Sequence, residues 1–230
     1  MRAIAGSDAR PAIAEVDRVT RTYETAVRST TALDEVSASF HADRVAAVAG
    51  PSGSGKSTLL RILAGLDVPS DGDVTICGTS LTNLGPRGRR RLRRKRIAFL
   101  FQRPSDNLVS YLTAEQHLRL AAELRGAPGR APQEVLENLG IGHARGRRPH
   151  ELSGGEQQRL AVAQAIVVTP SLLLLDEPTA ELDRENAEHV VELLRAAATS
   201  GTAVVVSSHD PVVTDSADDV VELVDGRVRT

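Results

Sequence analysis

Residues 50–58 read Gly50, Pro51, Ser52, Gly53, Ser54, Gly55, Lys56, Ser57 and Thr58, between an apolar run at 45–49 and a helical apolar pattern that begins at Thr58. A glycine, four residues and then Gly-Lys-Ser is the P-loop pattern. Its glycines let successive backbone N–H groups curl round an anion, and a following helix turns its positive end toward the same point. Lys56 supplies a point charge for β- and γ-phosphates, and the Ser57 hydroxyl is a hard oxygen ligand for Mg²⁺. The competing reading is a Gly/Ser-rich turn that binds nothing. A strand before and a helix after are what the phosphate reading requires, and both patterns are present.

Three more apolar runs end in polar residues: 97–101 at Gln102, 171–175 at Asp176 and Glu177, and 202–208 at His209. Parallel strands would bring these ends to the rim that carries the glycine loop. Asp176 is then a Mg²⁺ ligand, and Glu177 orients and polarises an attacking water, because consecutive strand-end residues point differently. His209 can fix the γ-phosphate and the water, and Gln102 can sense both and reach the metal. A lone turn histidine is ordinarily a hydrogen-bonded bystander; a place at the end of a third apolar strand favours function. Leu152-Ser153-Gly154-Gly155-Glu156-Gln157-Gln158-Arg159 opens a second helical pattern through Ile166, a second N-terminus fit for an anion. One nucleotide needs no two cradles in one chain, so Ser153, Gly154 and Gly155 are read as serving a nucleotide held by another copy.

These groups need a sheet to hold them. Residues 12–23 alternate through Ile13, Ala14, Glu15, Val16, Asp17, Arg18 and Val19, the period of a half-exposed strand, and 31–40 repeat it at Leu33, Val36, Ala38 and Phe40. With 73–77 they predict an antiparallel edge sheet, and 67–73 are turn chemistry throughout. Val220 to Val224 and Val228 predict two short strands about Asp225-Gly226. Helical spacing at Leu118, Ala121, Ala122 and Leu124, then at Val135, Leu136 and Leu139, is interrupted at 126–129 and predicts a helical insertion over about 103–152. Buried strands alternating with helices make the fold class α/β: a doubly wound, mainly parallel sheet of the P-loop NTPase kind, with an antiparallel β subdomain and an inserted helical subdomain. Residues 1–11, small and polar and ending in Pro11, are expected to be a flexible extension before a single domain over 12–230.

Composition narrows the function classes. A chain of 230 residues with 41% hydrophobic and 25% charged content suffices for one large α/β domain. Aromatics are 2% and Trp is absent, so the core must be Leu, Val, Ile and Ala, which suits strands buried on both faces. A net charge of −2 argues against a polyanion binder as a whole. The single cysteine, Cys77, excludes an internal disulfide and reads as a small buried hydrophobe in a strand. No apolar stretch has the length of a signal peptide or a membrane span, so a soluble chain is expected, with any membrane role through a partner. Residues 87–96 carry eight basic residues in ten. That run is either a solvated helical face or a contact for anionic lipid headgroups or a partner; lacking interleaved aromatics and a base-reading module, it is not expected to bind nucleic acid. Tyr23, just ahead of a polar turn, is either a ring that stacks on a purine or a half-buried strand-end residue.

The octapeptide at 152–159, with the P-loop, Gln102, residues 172–177, Ala180-Glu181-Leu182-Asp183 and His209 in this order, closely resembles the ATP-binding subunit of ABC transporters over about residues 12–229. The resemblance implies an ATP hydrolase with ATP and Mg²⁺ as cofactors. Tyr23 becomes the adenine-stacking residue, Gln102 the Q-loop residue, Ser153 and Gly155 the signature donors to the partner's γ-phosphate, and Asp183 a residue acting across a dimer. Glu177 becomes the catalytic base and His209 the switch histidine. The implied partners are a second copy and a separate membrane permease, which would hold the chain peripherally at the cytoplasmic face of the cell membrane. Gly65-Leu66-Asp67, the basic segment, Asn107-Leu108 and Leu112-Thr113-Ala114 resemble the macrolide-exporter and lipoprotein-release branch. The chain departs from that branch in a longer segment at 103–106, in Ser110 where proline is common, and in Gln164 where arginine is customary.

Two rivals are weaker. Soluble ABC ATPases of DNA repair and chromosome organisation separate the P-loop half from the signature half by hundreds of coiled-coil residues, and those of translation carry two cassettes. Here one short helical insert separates Gln102 from Leu152. A P-loop kinase gives no reason for the octapeptide or for His209.

Overall fold

The computed structural model describes residues 12–25, 28–126, 129–180, 182–198 and 201–229. The predicted extension at 1–11, the centre of the 126–129 break and Glu181 lie outside the described residues. In chain order the strands are β1 (Ala12–Glu24), β2 (Ser29–His41), β3 (Arg44–Ala49), β4 (Asp71–Ile76), β5 (Thr79–Ser80), β6 (Ile97–Leu100), β7 (Leu172–Asp176), β8 (Ala203–Ser207), β9 (Asp219–Val224) and β10 (Arg227–Val228). The helices are α1 (Lys56–Leu63), α2 (Pro86–Arg96), α3 (Ala114–Arg125), α4 (Pro132–Asn138), α5 (Gly154–Ile166), α6 (Arg184–Ala198) and α7 (Pro211–Thr214).

The larger sheet runs β10-β9-β3-β8-β7-β6, parallel except for the β9–β10 hairpin. Every residue of β7 and β8 is buried, as continuous Leu and Val runs require of strands covered on both faces. Alternate residues divide between two cores. Leu173 and Leu175 join Val204, Val206, Leu160 and Leu194 on one face, whereas Leu172 and Leu174 join Val205, Leu59, Leu60 and Phe40 on the other. The second core is closed by the smaller antiparallel sheet, ordered β2-β1-β4-β5. Between β6 and α5 the described residues contain helices and no strand, with α3 opened by a Thr113–Gln116 capping box.

Two sequence expectations need correction. Cys77 is outside β4: it sits half-buried at the turn into β5, with φ 48°, and only packs against the second core. The turn expected over 67–73 ends earlier, since β4 starts at Asp71. Gly72 allows this with φ 85°, because a Cβ there would meet the Arg18 carbonyl oxygen at 2.4 Å.

Candidate active site

The parallel register brings the strand ends together. Leu100 lies opposite Leu175, Asp176 opposite Ser207, and Ser207 opposite Val48, so the chain leaves β6, β7, β8 and β3 along one rim. Beyond it is a cleft of about 470 Å³ lined by Pro51, Ser52, Gly53, Lys56, Ser57, Gln102, Glu177 and His209, with Ala32, Gly55, Thr58 and Ala180. Such a crevice beyond the carboxyl ends of parallel strands is where α/β sheets place ligands.

The glycine loop is shaped by close approach. Gly50 has φ 145° and a Cβ there would stand 2.1 Å from the Leu223 carbonyl oxygen, while Gly55, φ 103°, would put one 2.4 Å from that of Ala32. Gly50 and Ser54 do not line the cleft. Gly50 abuts the β9–β10 hairpin, and Ser54, buried with its hydroxyl unpaired, accepts the Gly226 amide at its carbonyl, 3.2 Å. The helix then starts at Lys56, two residues before the apolar pattern, so Lys56 and Ser57 stand in its first turn. Lys56 is 7% exposed; its Nζ donates to the carbonyls of Gly50 at 2.8 Å and Pro51 at 3.1 Å and lies 3.9 Å from Glu177 Oε1.

Asp176 Oδ1 accepts from the Ser57 hydroxyl at 3.1 Å and from the Ser207 hydroxyl at 2.5 Å. Ser57, Asp176 and the exposed amide of Gln102 are hard oxygen donors, the kind Mg²⁺ selects. Among the described residues no group of three or more His, Cys, Asp or Glu could hold an ion by itself.

Glu177 adopts φ 49°, a left-handed conformation uncommon for a non-glycine residue and costing on the order of 1–3 kcal/mol. Its N–H donates to both the carbonyl and the hydroxyl of Ser207, each at 3.1 Å, which holds the turn. The turn separates the two carboxylates: Asp176 stays with Ser57, while Glu177 faces Lys56 and His209. His209 Nδ1 is 3.1 Å from both Glu177 oxygens, with 74% of its side chain exposed. A carboxylate braced between an ammonium and an imidazole can accept a proton from water at the mouth of the cleft.

The second glycine turn is elsewhere. Ser153, Gly154, Gly155 and Asp183 do not line the cleft. Ser153 is the N-cap of α5: its hydroxyl accepts the Glu156 amide at 3.3 Å, and Glu156 Oε2 accepts the Ser153 amide at 2.8 Å. As an accepting cap the hydroxyl keeps its proton for donation outward. The Ser153 amide, then the hydrogen bond from His143, holds the Glu156 carboxyl down at about 2. Asp183 caps α6 through the Asn186 amide, which holds its carboxyl below the ordinary range. Arg159 reaches the Asn186 side chain and Gln158 donates to the Pro178 carbonyl at 2.9 Å, so α5 is tied to α6 and to the loop after β7.

Tyr23 does not line the cleft either. Its hydroxyl donates to Asp67 Oδ2 at 2.7 Å and the Arg21 guanidinium covers its ring at 4.5 Å. Asp67, Ser207 and Asn107 are residues that sequence reasoning left without a role. Asn107 braces the turn at Gln102, accepting the Phe101 amide at 2.9 Å and donating to the Phe101 and Arg103 carbonyls. In the sequence Asn107 enters only through the branch resemblance; locally it is an Asn after Pro-Ser-Asp, ordinary turn chemistry.

Comparison with known proteins agrees with this geometry. The family described as ABC transporter matches residues 33–180. The lipoprotein-releasing system ATP-binding protein LolD of Chromohalobacter salexigens is 39% identical over 216 residues, covering 91% of this chain and 90% of its own. The macrolide export ATP-binding/permease protein MacB of Salmonella typhimurium is 35% identical over 221 residues, 94% of this chain but 34% of its own, so the chain spans about a third of that relative. The dimeric structure of MJ0796, a bacterial ABC transporter cassette, superimposes with a TM-score of 0.85 at 32% identity over 94% of this chain and 97% of that one. A dimeric post-hydrolysis state of the same cassette, bound to ADP and Pi, gives 0.84 at 31% identity over the same shares. Matched by the family model over residues 33–180 and by cassettes at 31–39% identity over more than nine-tenths of its length, the chain belongs to the ABC transporter family and is an ATP-hydrolysing cassette.

Proposed function

We propose that this cassette binds Mg²⁺–ATP between two copies arranged head to tail and couples its hydrolysis to a membrane permease. The observation that carries the proposal is the separation of two phosphate cradles in one chain. The P-loop shares its cleft with Glu177 and His209, whereas Ser153 and Gly155 lie outside that cleft and the Ser153 hydroxyl, as an accepting cap, keeps its proton to donate. A second copy would bring its Ser153 and Gly155 to the γ-phosphate held by the first, and Asp183 would act across the same contact.

In this reading Lys56 and the loop amides bind the β- and γ-phosphates, and Tyr23 receives the adenine. Ser57 and Asp176, with Gln102, would hold Mg²⁺, which when bound would neutralise charge on the phosphates. Glu177 takes a proton from the attacking water, and His209, already on its carboxylate, orients both. Closure of the second copy excludes bulk water, which strengthens these interactions.

Supporting the permease is a groove of about 210 Å³ between the sheet and the helical insertion, lined by Phe99, Asn107, Ala121, Leu124, Arg125 and Gln164 among others. Leu124 is 64% exposed beside it, and the buried amide oxygen of Gln164 has no partner. Asn107 links the groove to Gln102, a route by which a permease segment seated there would bear on the cleft. No helix among the described residues is long and apolar enough to cross a membrane, so the permease would supply the spans and hold the cassette at the cytoplasmic face.

The test is the concentration dependence of turnover. If a second copy completes the site, phosphate release per chain rises with cassette concentration until dimers saturate. A constant rate per chain across dilution would mean one copy suffices, and the two-cradle reading fails.

A further inference from the structure

Helix α2 is the feature that catalysis leaves unexplained. Eight of its eleven residues are Arg or Lys, it contains no acid and it buries no residue. Its inner side is accounted for. Leu92 packs on the second core, Arg89 donates to the Leu84 carbonyl at 2.7 Å, and Arg93 donates to that of Gly65 at 3.0 Å. The remaining cations, Arg87, Arg90, Arg91, Arg94, Lys95 and Arg96, are exposed, and among the described residues none has a carboxylate in ion-pair reach.

Helix stability accounts for only part of this. Cations in the last turn favour the helix through its dipole, but Arg87 sits at the opposite end, where the dipole opposes it. Like charges three and four residues apart, Arg87 with Arg90 and Arg91, and Arg90 with Arg94, destabilise the helix. An exposed row of cations kept at that cost is complementary to a dense anionic surface.

We propose that the exposed face of α2 binds the anionic phospholipid headgroups of the membrane beside the permease. Its location at a membrane rests on the function proposed above; the charge pattern does not. Arg94 ties the two, since it is exposed on α2 and also lines the groove assigned to the permease, with Arg125 on the same groove. Exposed Leu124 adjoins these cations, giving the apolar-plus-basic character of an interfacial contact. A lipid headgroup layer also fits better than nucleic acid, because the basic face is one short helix without aromatic side chains for bases on a chain of net charge −2.

The experiment is cosedimentation of the full chain, without nucleotide, with vesicles of phosphatidylcholine alone or mixed equally with phosphatidylglycerol. Wild type should sediment with the anionic vesicles only, and lose binding as salt rises from about 0.1 to about 1 M and the screening length contracts from about 10 to about 3 Å. Replacing Arg87, Arg90 and Arg91 together by Gln should weaken binding by about 100-fold, at about 5-fold per cation near the surface. ATP hydrolysis by that variant in solution should stay at the wild-type level, showing that it folds. Equal sedimentation with neutral and anionic vesicles, or by the variant and wild type, overturns the proposal. So does tighter binding to a duplex DNA or RNA oligonucleotide than to anionic vesicles at equal charge, which would make the face a nucleic-acid contact. Because the readout needs neither ATP nor permease, failure here leaves the catalytic proposal intact, and a chain inactive towards ATP could still pass.

Discussion

The two glycine-rich turns, 50–58 and 153–155, share a local design and differ in their surroundings. Both deliver a helix N-terminus with free amides. The first is walled by three further strand ends of its own chain, with Lys56 buried at its centre and Glu177 held in a strained conformation nearby. The second is a well-capped helix start whose carboxylate, Glu156, is engaged within the cap by the Ser153 amide and by His143. One turn is equipped for chemistry and the other for donation. The difference teaches that a phosphate cradle becomes a catalytic site through what other strands bring to it, and that a cradle without those neighbours needs a second molecule.

The comparison predicts that mutations in the first turn and its neighbours alter chemistry or binding in one copy, whereas mutations in the second alter only what requires two. The largest effect is expected for Glu177→Gln, which keeps size and a hydrogen-bonding carbonyl but removes the base, with Lys56, Ser57 and Asp176 undisturbed. Turnover should fall by about 10²–10⁴. ATP should then stay bound, and size-exclusion chromatography with ATP and Mg²⁺ should show a dimer where wild type is mainly monomer. Wild-type turnover in this variant would remove Glu177 from the chemistry.

Ser153→Arg sharpens the contrast from the other side. A bulky cation at the α5 N-cap should cut hydrolysis by about 10²-fold or more, comparable with losing a preorganised donor. Fluorescent-nucleotide affinity of the monomer should remain near wild type. Loss of monomer affinity would mean that both cradles serve one copy.

Lys56→Ala should weaken nucleotide binding itself by roughly 10- to 150-fold, the range for a hydrogen bond to a charged group. Titration calorimetry would read it directly, and unchanged affinity would argue that the loop amides alone hold the phosphates.

The smallest effect concerns stability. The Glu156 carboxyl is held at about 2, below its ordinary 4.5, by the Ser153 amide and His143. A depressed folded-state value means the carboxylate's contribution is complete above pH 4.5 and is lost as pH falls toward about 2. Glu156→Gln keeps a capping group without the charge, so wild type should be more stable by about 0.5–1 kcal/mol at neutral pH. That corresponds to a melting difference of about 1–4 °C. The difference should vanish near pH 2; a gap that persists there would assign it to packing.

Much of this site was legible in the chain because its signals are local. The P-loop spacing, the Ser-Gly-Gly turn and the four apolar runs each lie within a few residues, where strand and helix periods act. The register then aligned the strand ends beside one another. Local signals failed where a partner is distant in sequence. Tyr23 is held by Asp67, and Asp176 by Ser207, across separations that no periodicity encodes. Cys77, inside an apparently continuous strand pattern, was lost to a left-handed turn.

The residue types determined the chemistry available: an ammonium, hydroxyls, two adjacent carboxylates, an imidazole and two amide cradles. Only the tertiary structure decided their arrangement. The lateral order β3-β8-β7-β6 sets His209 between the P-loop strand and the carboxylate strand, and the left-handed turn at Glu177 swings one carboxylate toward His209 while the other stays on Ser57. The physical reason is that a buried apolar strand is stable beside any similar neighbour. Its place in the sheet is selected by the whole packing of two cores rather than by its own sequence.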